Sequence, residues 1–264
     1  MKYAVLIFPD KASQNIKKHL NPNIKTHQVN NKCVYAENID KEIDADFFIF
    51  ATTHSSRSKI PSLSVHSPGN FSTADLGGRP KTLPPCQAKI LRQAFLTLTK
   101  LNQTSTYETI LECTHHGPYL NKPAIFIEIG STEKQWKDPQ AGKIIAQVIE
   151  HLINTQPPQF QTTTSPPTII QSLTAIGIGG LHTCPEFSKV LLRSNLSPGH
   201  ICPKYQLENL DKEMLQQMIN KTLPTPSLAI LDWKGLGPHK NKIISLLKEL
   251  NMPYKKTKDF HSIS

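Results

Sequence analysis

Pro123-Ala124-Ile125-Phe126-Ile127-Glu128-Ile129-Gly130, followed by a helical spacing over 138–153, is the stretch that decides the fold. The first part is apolar at successive positions, the pattern of a strand buried on both faces. In the second, Asp138-Pro139 supplies a cap and a first-turn proline, and Ile144, Ile145, Val148 and Leu152 make one apolar stripe. A buried strand feeding an amphipathic helix is the unit of a layered α/β sheet. The same two patterns recur outward from it. Further strands are predicted at 2–8, 46–53, 62–66, 108–114, 169–178 and 227–232, and helices at 11–20, 84–101, 184–193, 208–221 and 237–250. The helix over 84–101 starts after Pro84-Pro85 and repeats Ile90, Leu91, Ala94, Phe95 and Leu98 at spacings of three and four, which turns one face to a sheet.

The expected fold class is therefore α/β, organised as a single domain over 1–264. Residues 154–168, with Pro157-Pro158, Pro166-Pro167 and several threonines, have no periodicity and read as a long surface loop. A domain boundary there is not expected, because 123–130 and 169–178 both read as buried members of one sheet.

A chain of 264 residues can bury a core without disulfides or structural metal. Its five cysteines are odd in number, widely spaced and form no C-x-x-C pair, so neither a disulfide framework nor a zinc ribbon is expected. A cytoplasmic, reducing setting is the simpler expectation. Met1–Phe8 is apolar but stops at Pro9-Asp10, reading as a first strand and not a signal segment. No apolar run approaches the roughly 20 residues of a membrane span, and the mean hydropathy is −0.35. Thirty Lys and Arg against 20 Asp and Glu give a net charge of +10, which favours a polyanionic partner or serves as a lysine-rich solubilising surface.

The 11 histidines concentrate where predicted strands end. His54 follows Phe47–Thr53, His66 closes Leu63-Ser64-Val65, His115-His116 end Ile110–Thr114, and His182 follows Ile176–Leu181. Ligands of α/β sheets bind beyond the carboxyl ends of parallel strands, so these imidazoles are expected to converge on one cleft. Imidazole titrates near neutral pH and ligates metals, and both uses call for clustering. Adjacent histidines in a strand point to opposite faces, so His115 and His116 serve one site only if Gly117-Pro118 has already turned the chain. Glu128 is a carboxylate in an otherwise apolar strand and needs a partner. It could orient a histidine, act as a general base or bind a metal; Glu112 holds a similar position but ranks below it.

Arg57 is placed to hold a phosphate or carboxylate bidentately. Val65–Asn70 and Gly177–His182 put glycines at strand ends, where N–H groups can face an anion. Neither matches a Walker or dinucleotide fingerprint, and no G-x-S-x-G elbow accompanies the serines after His54, so a nucleotide cofactor and a serine nucleophile are not expected.

Together, Thr53-His54-Ser55-Ser56-Arg57, Val65–Asn70, Thr114-His115-His116-Gly117-Pro118, Glu128–Trp136, Gly179-Gly180-Leu181-His182 and Asp232-Trp233-Lys234-Gly235 occur in an order that resembles the archaeal and plant type of D-aminoacyl-tRNA deacylase. The resemblance covers about residues 1–250. It implies a three-layer α/β/α domain with a mixed, mostly parallel sheet, similar to the phosphorylase and peptidyl-tRNA hydrolase group. It also implies hydrolysis of the ester between a D-amino acid and tRNA, in chiral proofreading, with zinc as cofactor. On this reading His54, His115, His116 and Glu128 are catalytic, and His66, His115, His116 and His182 are the metal candidates. Arg57, Gly69, Asn70, Ser131, Thr132, Gly179 and Gly180 contact substrate. The partner is the acceptor end of aminoacyl-tRNA, held by phosphate contacts, and a monomer is expected. The alternatives are a peptidyl-tRNA hydrolase or nucleoside phosphorylase on the same scaffold, or a non-catalytic tRNA-binding protein. The spacing does not choose between zinc and a histidine base, because no H-E-x-x-H is present.

Overall fold

The computed structural model describes residues 1–155 and 173–260, so the loop expected at 154–168 lies outside the described residues from position 156 onward. The strands are β1 Tyr3–Ile7, β2 Thr26–Gln28, β3 Phe47–Ser55, β4 Ser62–His66, β5 Cys86–Gln87, β6 Glu108–Leu111, β7 Ala124–Ser131, β8 Leu173–Ile178, β9 Leu196–Cys202, β10 Thr222–Leu223, β11 Leu228–Leu231 and β12 Tyr254–Lys256. The helices are α1 Lys11–His19, α2 Ala88–Leu101, α3 Glu133–Trp136, α4 Pro139–Asn154, α5 Pro185–Arg193, α6 Lys212–Lys221 and α7 Lys240–Glu249. No helix among the described residues is long and apolar enough to cross a membrane.

The fold class is α/β with a mixed, mostly parallel sheet of order β2-β1-β3-β7-β4-β6. β4 runs antiparallel to β7, whereas β1, β2, β3 and β7 are parallel to one another. The decisive strand, β7, sits in the middle. The expectation that 123–130 and 169–178 share one sheet is corrected: β7 is in the first sheet, but β8 is in a second, parallel sheet of order β12-β11-β8-β9. β8 is hydrogen-bonded on both sides within that second sheet, to β11 and β9, so it has no edge left to pair with the first.

Residues in register across strands point to the same face. On the first sheet Ala51, Ile127 and Val65 face α1, α2 and α4, and pack with Ile16, Phe95, Ile145 and Ile149. The opposite face carries Thr52, Glu128 and Ser64 in one row and His54 and His66 to either side of it. The second sheet is covered on both faces. Phe187, Val190 and Leu191 of α5 join the core of the first sheet, while Met214 and Met218 of α6 and Ile243 and Leu247 of α7 form the core of the other side.

Helix starts are capped where the sequence places aspartates: Asp10, Asp138 and Asp211 each accept a backbone N–H of the first turn. At Asp211 burial raises the carboxyl pKa, but the Lys81 ammonium at 2.9 Å and the Met214 N–H outweigh it and hold it below the usual carboxylate range. Asp211→Ala is expected to lower stability by about 1 kcal/mol, as cap removals do. A depressed carboxyl contributes stability above its unfolded pKa and loses it as pH falls through the folded one. The gap between wild type and variant in urea unfolding should therefore be full at neutral pH and close in acid; a gap independent of pH would contradict this account.

Candidate functional site

The site is built on the polar face of the first sheet. Glu128, 3% exposed, lies in β7 between Thr52 of β3 and Ser64 of β4. Its Oε2 is 3.4 Å from His54 Nδ1 and 3.8 Å from His66 Nε2. The two histidines flank it because β4 is antiparallel to β7, so His54 registers with Gly130 and His66 with Phe126. This corrects the expectation of a cleft formed by parallel carboxyl ends. The imidazoles meet across the face of the sheet, not along one of its edges.

The second half of the site comes from residues 112–118. β6 ends at Leu111, earlier than the predicted 114, because the chain here leaves the first sheet for the second. Glu112 N–H still bonds Val65 O, but Cys113 N–H bonds His182 O and Thr114 N–H bonds Ile201 O. The run thus joins the two sheets and brings His182 to the cluster. The chain does turn here, as the Gly117-Pro118 pair predicts, but the left-handed residue is His116 itself, with φ +42°, a region that non-glycine residues rarely adopt. That turn puts the His115 and His116 rings 4.3 Å apart, and His66 lies 4.1 Å from His115 and 4.9 Å from His116.

Glu112, ranked below Glu128 on sequence, is the hub. It is 2% exposed, and its carboxylate lies 3.3 Å from His54 Nδ1, 3.5 Å from His115 Nε2 and 3.1 Å from His182 Nε2. Burial alone would raise its pKa, but the His182 hydrogen bond and the charges of His115, His66 and His54 hold it well below the usual carboxylate range. Burial works against the partners in the same way: it pulls the histidines down, yet Cys113 and Glu112 hold His182 up at about 10, and Glu128 and Glu112 hold His54 above its ordinary value. His116 goes the other way. Burial and the neighbouring His115 and His66 keep it neutral, well below the usual range. The Cys113 thiol, raised by burial, is lowered further than it is raised by Cys184, His115 and His182, which favours a thiolate.

Which ring nitrogens are free follows from the backbone. His115 Nδ1 lies 2.8 Å from Cys113 O, His116 Nδ1 2.6 Å from Gly117 O and His66 Nδ1 3.3 Å from Ser67 O. A carbonyl accepts only from N–H, so each Nδ1 is protonated and each Nε2 of a neutral ring presents its lone pair. This tethering is the usual arrangement around histidine metal ligands. Donor atoms of His66, His115 and His116 lie within 4.8 Å of one another, as do those of Cys113, His115 and His182, and those of His54, Glu112 and Glu128. The buried His66 Nε2 and Glu112 Oε1 have no hydrogen-bond partner, a costly state in an apolar interior. A cation held by His66, His115 and His116 would satisfy the first, and nitrogen, thiolate and carboxylate donors are the set zinc takes.

His54, His66, Glu128, His115, His116 and His182 are thus brought together. The other sequence candidates lie outside the cluster itself. Gly69 N–H bonds His116 O at 2.7 Å, and Asn70 Nδ2 bonds Gly77 O at 2.8 Å, so both brace the histidine turn. Ser131 Oγ donates to Ile60 O and Thr132 Oγ1 to Gln135 Oε1. Arg57 is exposed in the turn after β3. Gly179 and Gly180 have φ +95° and +86°, and Gly179 N–H bonds Cys202 O.

Three neighbours were not singled out by sequence. Cys113 Sγ is 3.6 Å from His182 Nδ1, and Tyr205 Oη is 3.0 Å from that nitrogen and 3.4 Å from the sulfur. His200, fully buried, lies 2.9 Å from Pro84 O through Nε2 and 3.1 Å from Thr114 Oγ1 through Nδ1. With Nε2–H on the carbonyl, Nδ1 accepts the Thr114 hydroxyl, which itself accepts Ile201 N–H at 3.1 Å, locking the residue before His115. The available signal was weak: only the i,i+3 spacing of Glu112 to His115 within an apolar run marks the hub.

The profile of a family described as D-aminoacyl-tRNA deacylase matches residues 41–255. The chain is 34% identical over 233 residues to the D-aminoacyl-tRNA deacylase of Thermococcus onnurineus, covering 85% of this chain and 81% of the relative. With that of Methanococcus maripaludis it shares 33% identity over 257 residues, covering 94% and 96%. Among solved structures, that of a conserved protein of unknown function, AF0625, superposes with a TM-score of 0.86 at 27% identity, over 98% of this chain and 96% of the other.

Proposed function

The chain belongs to the D-aminoacyl-tRNA deacylase family, and on that premise we propose that its histidine and glutamate cluster hydrolyses the ester joining a D-amino acid to the terminal ribose of tRNA. Free D-amino acid and tRNA are released. The observation that carries the reading is Glu112, a buried carboxylate contacted by three histidines from three separate segments. No packing requirement explains such a hub, because taking charges out of water is costly even when they are paired. The competing peptidyl-tRNA hydrolase, phosphorylase and non-catalytic readings are not favoured by the relatives.

Ester hydrolysis needs a group to take a proton from water and a donor for the oxyanion. We assign the first task to Glu128, kept ionised by His54 and His66, with His54 passing the proton outward from between the two carboxylates. Tyr205, half exposed at the mouth and kept protonated by burial and the Cys113 sulfur, accepts His182 Nδ1–H and donates its own O–H to the ester oxygen. His66, His115 and His116, or Cys113 and His182 with the shared His115, would hold zinc. When bound, zinc supplies Lewis acidity that brings the pKa of water to around 7.

The net charge of +10 supports a tRNA acceptor stem as partner, bound through phosphates in a salt-sensitive way. We take the working unit to be a monomeric, cytoplasmic protein whose two sheets form one domain. In support of the last point, one apolar cluster includes Val5 and Ile127 of the first sheet with Ala175, Ile201 and Ile230 of the second. The test is hydrolysis of D-tyrosyl-tRNA against L-tyrosyl-tRNA with zinc supplied. Turnover of the D ester at least about a hundredfold faster, lost in His115→Ala, is the expected result. Equal inertness toward both esters would overturn the reading.

A further inference from the structure

A cavity of about 580 Å³ lies beside the histidine cluster, at the carboxyl ends of β8 and β11. Its place follows from chain order. The chain passes from β8 through α5 to β9 on one side, then returns past β8 to β11 and through α7 to β12 on the other. α5 covers one face of the sheet and α7 the other, so the chain parts between β8 and β11. Such a switch point leaves a crevice where open α/β sheets bind ligands. The crevice also has a ligand-sized volume, within the range of about 300–1,000 Å³.

The lining has a directional chemistry. Gly180 and Gly235 lie so close that a Cβ on residue 235 would come 2.5 Å from Gly180 N, which keeps this part of the floor clear of side chains. Asp232 Oδ1 accepts Gly235 N–H at 3.3 Å, and Oδ2 has no hydrogen-bond donor among the described residues. At the rim stand the exposed Lys204 and Lys234, with no carboxylate within 4.0 Å among the described residues. Lys240 and Lys256 lie 5.2 Å and 4.2 Å from the Trp233 ring, adding charge of the same sign behind the wall. Leu181, 49% exposed, offers an apolar surface. A cationic rim, an apolar wall and one free acceptor inside match a phosphorylated nucleoside: phosphate at the lysines, base on Leu181, a hydroxyl or amino group on Asp232.

The link to the cluster is Tyr205. It lines the cavity, and its Oη is 3.0 Å from His182 Nδ1. The ester of an aminoacyl-tRNA sits on the last ribose, so the last nucleotide must bind within one sugar ring of the attacked carbonyl. A cavity sharing a wall with the cluster meets that requirement. We propose that the cavity at the β8/β11 switch point binds the 3′-terminal nucleotide of tRNA, with Lys204 and Lys234 on its phosphate and Asp232 on its sugar or base. This assignment rests on the deacylase reading of the neighbouring cluster.

The experiment compares binding of deacylated tRNA with the same tRNA trimmed of its last nucleotide, in the wild type, in Asp232→Asn and in the double variant Lys204→Ala/Lys234→Ala, with the remote Lys18→Ala as a charge control. Wild type and Lys18→Ala should bind the intact tRNA about tenfold more tightly than the trimmed one. The double variant and Asp232→Asn should lose most of that preference. Both lysines are exposed, so loss of folding does not confound them. Equal binding of intact and trimmed tRNA by the wild type would overturn the proposal even if D-tyrosyl-tRNA is hydrolysed. A preference lost in the variants, in a protein that hydrolyses neither ester, would support the cavity assignment and sink the deacylase reading instead.

Discussion

Replacing Glu112 with glutamine is expected to lower kcat/KM for D-aminoacyl-tRNA by about a hundredfold to a thousandfold, a larger loss than its distance from any substrate contact suggests. Glutamine keeps the shape but removes the negative charge that faces His54, His115 and His182. Without it His54 is left with Glu128 alone, and the His115 and His182 rings lose the partner on Nε2, keeping the contacts of Nδ1 to Cys113 O and Tyr205. Glu112 is a positioning residue in this account, because it touches the histidines and not the ester. Zinc affinity should therefore fall with activity, by about tenfold to a hundredfold. Glu112→Asp, which retains charge on a shorter arm, should recover part of both. A variant with wild-type rates and zinc content would remove Glu112 from the centre of the site.

Much of this site was legible because its residues are the wrong type for their surroundings. Glu128 in an isoleucine-rich strand and paired histidines before Gly117-Pro118 both stand out, and the structure brings them together. The helices were legible for the complementary reason: each predicted one carries an apolar stripe, α1, α4 and α6 add a capping aspartate, and bounds differ from expectation by only a few residues. What sequence could not supply was strand direction. Nothing in Ser62–His66 distinguishes an antiparallel strand from a parallel one, yet that direction decides whether His54 and His66 line an edge or face each other across Glu128. β9 escaped because Pro198 and Gly199 interrupt its apolar run. It tolerates them as the edge strand of the second sheet, and a Cβ on Gly199 would collide with Thr222. Tyr205 and His182 meet Cys113 only through the approach of the two sheets, a long-range fact that local patterns do not encode.

The second large effect is expected from a residue with no functional group. A methyl on Gly117 would lie 2.1 Å from Gly78 N and 2.3 Å from Gly77 C, distances that backbone atoms cannot relieve without moving the loop. That loop is itself fixed. Gly77 and Gly78 have φ +73° and +81°, a Cβ on Gly77 would fall 1.7 Å from Val34 O, and Asn70 Nδ2 holds Gly77 O. Gly117→Ala must therefore push back on its own segment, whose preceding residue is already in the left-handed region. The displaced residues are His115 and His116, whose rings are held by Cys113 O and Gly117 O. Stability should fall by about 1–3 kcal/mol, as overpacking does, and kcat by at least about a hundredfold, as misplacement of reacting groups by 1 Å does. Loss of stability alone cannot produce the second result. Asp211→Ala lowers stability too, at a helix cap away from the cluster, and should keep its full rate per folded molecule. If Gly117→Ala does the same, the close approach of the two loops is only a packing feature, and the histidine turn is held by other contacts.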